Sequence, residues 1–341
     1  LSRRLRHTKT DMQKPDIPYN EEERTRAIQS LGIIYSPSEA RFDRITRLVC
    51  RHFGIHTALI TIVYKEIQWF KSTQGLNACS TDRDVSFCGH AILSDEPLIV
   101  ENALLDPRFM DNPAVTEGLR IRFYAGQPIK DSFGVTIGTL CLVDSVPRVF
   151  SAEDRQDLYD FALLVEAEIA KPMEDDVLTR FIQSLNENQR SLLIDPIVGS
   201  WNRRGFEALL DKEIENALRH NEELTLIHVK LSSFDVILNR FGHDRIIDFS
   251  KFTASIVRDQ LPNGSSIGSL GADAFVAVCS GMRPSEAERI IQQLKKRFSE
   301  ATLETHGVKA LVDVEITSML LAGDQLRQTA ISAVDQLLML S

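Results

Sequence analysis

Asp195-Pro-Ile-Val-Gly-Ser-Trp-Asn-Arg-Arg-Gly-Phe206 is the stretch whose reading decides the fold. A new unit begins at Asp195. Beyond it, Arg204 to His220 reads as a helix, Leu224 to Leu231 as a strand and Asp244 to Leu261 as a helix. Ser266 to Ser280 reads as a hairpin with a tight turn at Gly271. Pro284 to Glu300 is a helix with proline near its first turn. Val308 to Ser318 reads as a strand and Gly323 to Leu340 as a closing helix. The order αβα, ββ, αβα is that of an α+β sandwich.

Upstream, the pattern differs. Leu31, then Phe42, Ile45, Leu48 and Val49, have helical spacing. Thr57-Ala-Leu-Ile-Thr-Ile-Val-Tyr64 is rich in β-branched residues and reads as a strand. Gln68 to Lys71, Pro97 to Val100, Phe123 to Ala125 and Val135 to Val143 read as further strands. Ser151 with Asp154 marks a capped helix start, and Leu158, Phe161, Leu164, Val165 and Ile169 mark its buried stripe. Pro172 interrupts this helix. A second helical stretch follows, with Val177, Leu178, Phe181, Ile182, Leu185 and Leu192 at spacings of three and four. It is either an amphipathic helix packed on its own domain or a dimer-forming signalling helix. The organisation is a mobile basic tail (1–18), a first domain (19–170), a helical connector (171–194) and a second domain (195–341). The tail carries Arg3, Arg4, Arg6, Lys9 and Lys14 against Asp11 and Asp16.

A length of 341 residues fits two such domains. Hydrophobic residues make up 43% and charged residues 26%, which excludes a disordered or collagen-like chain. No run approaches the ~20 apolar residues of a spanning helix, and the N-terminus lacks an apolar leader. The expected compartment is the cytoplasm, with no membrane contact. The chain starts at Leu1 rather than Met, which points to a shortened chain or an unusual start codon. A net charge of −9 argues against nucleic acid as a partner. Cys50, Cys79, Cys88, Cys141 and Cys279 form no CxxC and no zinc spacing, so they read as reduced thiols, and no metal site is expected.

Six blocks occur in one order: Asn20-Glu21 with Arg24, Gln68-Trp69-Phe70-Lys71-Ser72, Ser86-Phe87-Cys88-Gly89-His90-Ala91-Ile92, Asp106-Pro107-Arg108-Phe109, Phe123-Tyr124-Ala125-Gly126 and Gly138-Thr139-Leu140-Cys141. Together they resemble the GAF domains found ahead of bacterial signalling outputs. The resemblance implies an antiparallel sheet with helices on one face and a ligand cavity on the other. Phe70, Phe87, Cys88, His90, Phe123, Tyr124 and Cys141 are the candidates for the wall of that cavity, binding an unknown small molecule. The same residues are also what a packed core would use. Cys88 and Cys141 read as inert thiols, a redox pair or a metal site. Free methionine sulfoxide reductases share the fold, but their cysteine spacing is absent.

The Asp195–Phe206 stretch resembles the opening motif of GGDEF domains, DxLTGLxNRRxF. Phe234 with Phe241-Gly242-His243 resembles their FKxxNDxxGH segment, and Gly271-Ala272-Asp273-Ala274-Phe275 falls where GGDEF itself belongs. The family joins two GTP molecules into cyclic di-GMP, which needs carboxylates on Mg²⁺ and glycines beside phosphates. The resemblance puts Lys230 in place of the strand's metal-binding Asp. It puts Ala272 in place of a glycine, and Asp273 and Ala274 in place of the acidic pair. Leu238 and Ile247 stand where guanine is bound, and the family's C-terminal phosphate-contacting Lys lies beyond Ser341. The inhibitory RxxD falls on Pro262 and Ser265, so it is missing, and Arg245-Ile-Ile-Asp248 lies too far upstream to replace it. Glu207-Ala-Leu209 spells a phosphodiesterase motif with too few residues after it for that domain. Lys230 is either an exposed strand-end lysine or a phosphate ligand.

The expected fold is thus α+β: two α/β sandwich domains, GAF-like then GGDEF- or nucleotide-cyclase-like, joined by a helical connector. The expected function is non-catalytic signalling. The first domain senses a small molecule or redox cue, and a degenerate second domain binds a signalling partner, in a homodimer. A divergent diguanylate cyclase and a nucleotide-binding module without turnover are the alternatives. No cofactor is expected, and Mg²⁺ only with residual cyclase activity.

Overall fold

Thr57–Tyr64 is suited to a pleated, half-buried surface, and in the computed structural model it forms β1. The structure describes residues 12–76, 78–171, 177–232, 234, 238–239, 242–262, 264–305 and 308–339. Residues 1–11 of the basic tail, Pro172, Phe241, the Arg245 side chain and Ser341 lie outside the described residues. The chain divides into two units, the first ending at Lys171; the short run Tyr35–Ala40 groups with the second.

In the first unit β1 and β6 (Thr136–Asp144) are the two central strands of a six-stranded antiparallel sheet. β2 (Ile67–Gln74) and β3 (Ser80–Asp82) extend it on one side. β5 (Phe123–Lys130) and β4 (Leu98–Val100) extend it on the other. Helices α1 (Glu21–Leu31), α2 (Ala40–Phe53) and α5 (Ala152–Ala170) belong to this unit. The expected cap on α5 forms in both directions: Ser151 Oγ accepts from the Asp154 amide, and the Asp154 carboxylate accepts from the Ser151 amide. Leu158, Val165 and Ile169 are buried as expected, but Leu164 is 52% exposed, and Ala162 takes its place in the stripe. Leu48 is likewise turned out of the α2 stripe.

The sheet face expected to border a cavity is covered. The short helices α3 (Phe87–Ala91) and α4 (Pro113–Thr116) lie on this side. Phe87, Phe109, Val115, Ile121 and Tyr124 form one buried cluster there with Leu59 and Val63. Residues 12–18 are not free tail either. Pro15 packs where a Cβ on Gly89 would stand, Lys14 pairs with Asp84, and the Gln13 carbonyl meets His90.

The second unit begins with the connector, which is not one helix. It breaks into α6 (Val177–Ser184) and α7 (Glu187–Leu193), because Asn186 caps α7 in a box with Gln189. Val177, Phe181 and Ile182 of α6 are buried, and Phe181 meets the Trp201 ring edge-on at 5.4 Å. Leu192 is 75% exposed. The apolar face of α6 is therefore used within its own unit.

The sheet here has the order β12 (Val314–Leu321), β7 (Leu224–Leu231), β9 (Ala274–Ser280) and β8 (Ser266–Ser269), all antiparallel. Ile227, Val229 and Leu231 pack with residues of α9 (His243–Gln260) and α10 (Pro284–Glu300). The alternate residues of β7 point to the opposite face, on the side of α8 (Arg203–His220) and α11 (Ala330–Met339). Two expectations are corrected. The strand placed at Val308 to Ser318 is β11 (Val308–Leu311), paired with β10 (Thr302–Thr305), followed by β12 after the chain buries Val312 in the core. The closing helix starts only at Ala330, whose amide is capped by Asp211 of α8 at 2.9 Å. Among the described residues no helix is long and apolar enough to cross a membrane.

Candidate functional site

The Asp195–Phe206 stretch folds through its own polar side chains. Asp195 Oδ1 accepts from the amides of Ile197 (2.8 Å) and Val198 (3.0 Å), making a turn that Gly199 closes at φ 72°. Trp201 is fully buried and bridges to Gly268 of β8. Asn202 then caps α8 by accepting from the Gly205 amide at 3.0 Å. This motif ties the helix to the edge of the sheet beside the β8–β9 turn.

That turn brings together the positions singled out from the sequence. Lys230 pairs with Ala274 on one side and with Glu315 on the other. Asp273 lies next to Ala274, and its carbonyl accepts from the Leu231 amide at 2.8 Å. The Ala272 carbonyl accepts from Ser250 Oγ, which ties the turn to α9. Leu238 packs against the apolar core, and Ile247 is half-buried on α9. Glu315 was not found from the sequence, because only the β7–β12 register brings it to Lys230. The donor set does not fit Mg²⁺. Position 230, where the family resemblance calls for a metal-holding carboxylate, carries an ammonium, and its cross-strand neighbour Ala274 offers a methyl. Among the described residues no three His, Cys, Asp or Glu groups could hold a metal.

In the first unit, four of the seven proposed wall residues are in mutual contact. Phe87 stacks on Phe109 at 4.0 Å and meets Tyr124 at 5.0 Å. Tyr124 OH donates to Cys88 Sγ at 3.3 Å, Gln68 Nε2 donates to it at 3.1 Å, and Cys141 Sγ lies 3.6 Å away. Burial opposes charge on Cys88. Hydrogen bonds from Cys141, Thr139, Tyr124 and Thr61 outweigh it and bring the thiol down to about 7. Burial and the neighbouring Cys88 push Cys141 and Tyr124 up, so both keep their protons. His90 sits at the edge of this group, against Phe109. Phe70 is buried on β2. Phe123 is on the opposite sheet face, against Phe150, and is removed from the wall.

The other blocks are structural ties. Arg24 is buried and donates to the Val63 and Ile137 carbonyls. Asp106 accepts from the backbone and guanidinium of Arg108, setting the turn that delivers Phe109.

Residues 37–169 match the GAF domain family, and residues 192–340 match the family described as diguanylate cyclase, GGDEF domain. The chain joins a GAF domain to a GGDEF domain. The cyclic di-GMP phosphodiesterase PA2567 of Pseudomonas aeruginosa is 30% identical over 319 residues, covering 92% of this chain and 51% of that protein. The diguanylate cyclase DgcP of Escherichia coli is 28% identical over 223 residues, covering 63% of this chain and 62% of that protein. The chain thus spans between half and two thirds of the length of these relatives. The crystal structure of the FimX GGDEF domain from Pseudomonas aeruginosa is 22% identical, covers 43% of this chain and 90% of that one, and gives a TM-score of 0.40.

Two features of the GGDEF domain were not legible beforehand. A cavity of about 650 Å³ opens at the far end of β9 from Lys230, with Arg180, Glu213, His220 and Arg289 in its lining. Pro262 and Ser265, the positions of the missing RxxD, border it as well. His228, two residues before Lys230, is 1% exposed, and neither ring nitrogen has a hydrogen-bond partner among the described residues. Burial, then the Lys230 charge, lowers its pKa, against Asp273 and Glu315. The unfolded chain therefore takes up a proton near the ordinary value of about 6.5, where the folded chain resists it. Stability is full above that value and falls as pH drops below it. Melting should drop between about pH 7.5 and about pH 5.5 more in the wild type than in His228→Gln. Equal drops would show that His228 does not govern this window.

Proposed function

We propose that this chain is a bacterial signalling protein of the cyclic di-GMP pathway whose GGDEF domain does not catalyse. The supporting observation is the Lys230–Ala274 pair at the strand end. It puts an ammonium and a methyl where the family resemblance calls for metal-holding carboxylates. Leu238 and Ile247 add nothing that could pair with a guanine edge. In this reading the GGDEF domain is a regulatory surface for a signalling partner, and the GAF domain senses a small molecule or redox cue. The compartment is the cytoplasm.

Calorimetry on the intact chain with GTP and with cyclic di-GMP tests this. No heat with either supports a partner-binding module. Binding without turnover replaces it with the nucleotide-binding reading, and turnover replaces it with a divergent cyclase in which Asp273 still holds metal.

The homodimer belongs to the same proposal. The pairing region is residues 151–194; with the α6 face used internally, the exposed apolar side chains left there among the described residues are Tyr159, Leu163 and Leu164 of α5 and Leu192 of α7. Sedimentation of the intact chain should give a dimer at micromolar concentration, and Leu163→Glu with Leu164→Glu should give a monomer. A wild-type monomer would remove the idea.

A further inference from the structure

The GAF core contains more polar groups than packing requires. Thr61 and Thr139 hydroxyls lie 3.0 Å apart. Gln68, Tyr124, Cys88 and Cys141 join them, and all six residues are 5% exposed or less. Buried polar groups are costly unless paired. Here the pairing converges on one atom, Cys88 Sγ, which receives the Gln68 amide and the Tyr124 hydroxyl and has Cys141 beside it. A neutral thiol is a weak acceptor. Several donors aimed at one sulfur suit a thiolate, the nucleophilic form.

We propose that Cys88 and Cys141 are a redox pair that closes to a disulfide on reaction with a hydroperoxide. This deepens the sensor reading above and rests on it only for the signalling consequence. The Cys88 thiolate attacks one oxygen of hydrogen peroxide. The O–O bond breaks, Cys88 becomes a sulfenic acid, and the departing hydroxide takes a proton and leaves as water. The Cys141 sulfur then attacks the Cys88 sulfur. The S–S bond forms, the S–O bond breaks, and the Cys141 proton leaves with the hydroxide as a second water. Two thiols are oxidised, one peroxide is reduced, and nothing else is consumed.

The surroundings fit this chemistry. Tyr124 keeps its proton and remains a donor to the thiolate. The pair is sealed, at 2% and 0% exposure, so only an oxidant near the size of water can reach it. Cys50 and Cys279 lack such a ring of donors, and burial pushes their thiols up to about 11. Closing the bond brings the sulfurs together by about 1.5 Å. That draws α3 toward β6, and α3 carries the His90 and Gly89 contacts to residues 13 and 15. Oxidation would therefore be felt at the surface of the domain.

The test uses the intact chain, treated with hydrogen peroxide, quenched with an alkylating agent in denaturant, digested and analysed by mass spectrometry. The expected product is a peptide linking Cys88 to Cys141, lost on reduction with dithiothreitol and absent from Cys141→Ser. Cys79 and Cys279 should stay alkylatable. At pH 7 Tyr124→Phe should form the link about twofold more slowly. Raising a thiol pKa of about 7 by about one unit cuts thiolate about fivefold at that pH, and higher nucleophilicity restores about threefold of that. Alkylation of all five cysteines after peroxide, or sulfinic acid at Cys88 with no link, overturns the pair. A small molecule that binds the GAF domain while no link forms overturns the pair and leaves the sensor reading standing.

Discussion

Given GTP with Mg²⁺ or Mn²⁺, the intact chain is expected to yield no cyclic di-GMP, and Lys230→Asp is expected to yield none either. Phosphoryl transfer of this kind needs its metal ions placed and its nucleotide anchored. Lys230 repels a cation at the end of β7. Replacing it with Asp removes the repulsion and supplies one carboxylate beside Asp273. Ala274, paired with residue 230 across the β7–β9 ladder, still offers no ligand. Leu238 still faces the apolar core rather than a base. Loss of one oriented polar contact can cost ~10²–10³ in rate. Several are missing here, and groups that act as a unit fail together rather than additively. Chromatography of the reaction decides it. Product from the wild type overturns the non-catalytic reading. Product from Lys230→Asp alone shows that Leu238 and Ile247 are not at the guanine site.

What was legible in the sequence was what local chemistry determines. Asp195, Gly199 and Asn202 act on amides within three or four residues, so the opening motif could be read as a unit. Ser151 and Asp154 cap α5 by the same local logic. The GGDEF resemblance put Lys230 and Ala274 at one site, and the β7–β9 register sets them side by side. What was not legible depends on partners distant in the chain. Glu315 reaches Lys230 only through the β12 register. Leu164 has the right period for the α5 stripe, yet Ala162 occupies the buried position. Asn186 looks like one more polar residue in a helical run until its side chain is seen capping Gln189. In the GAF domain, Phe123 and Tyr124 are neighbours in one block, and strand alternation sends them to opposite faces. The polar ring on Cys88 draws on four separate elements, β1, β2, β5 and β6, so no single motif could announce it.

Gly138→Ala is expected to destabilise the GAF domain selectively, by about 3–5 kcal/mol. Gly138 lies on β6 opposite Ile62 of β1, in the pairing of the two central strands. A Cβ at this position would stand 1.8 Å from the Thr61 carbonyl oxygen, 2.8 Å from its carbon and 3.0 Å from the Ile62 Cα. All three are backbone atoms, so no rotamer change relieves the contact. The strands must part, and the ladder they share is the middle of the sheet. On one side that would disturb the Thr61–Thr139 pair and the Cys88 cluster. On the other it would disturb the carbonyls of Val63 and Ile137 that hold Arg24. A domain of this size has a total stability of about 5–15 kcal/mol, so the loss is a large fraction of it. Calorimetry should show the GAF transition lowered by about 10 °C and the GGDEF transition unmoved. Gly134→Ala is the control: it sits at φ 82° with nothing within 4 Å of a Cβ, so it meets only backbone strain, of about 1 kcal/mol. Equal melting of Gly138→Ala and Gly134→Ala would show that β1 and β6 are not as close as the contact at Thr61 requires.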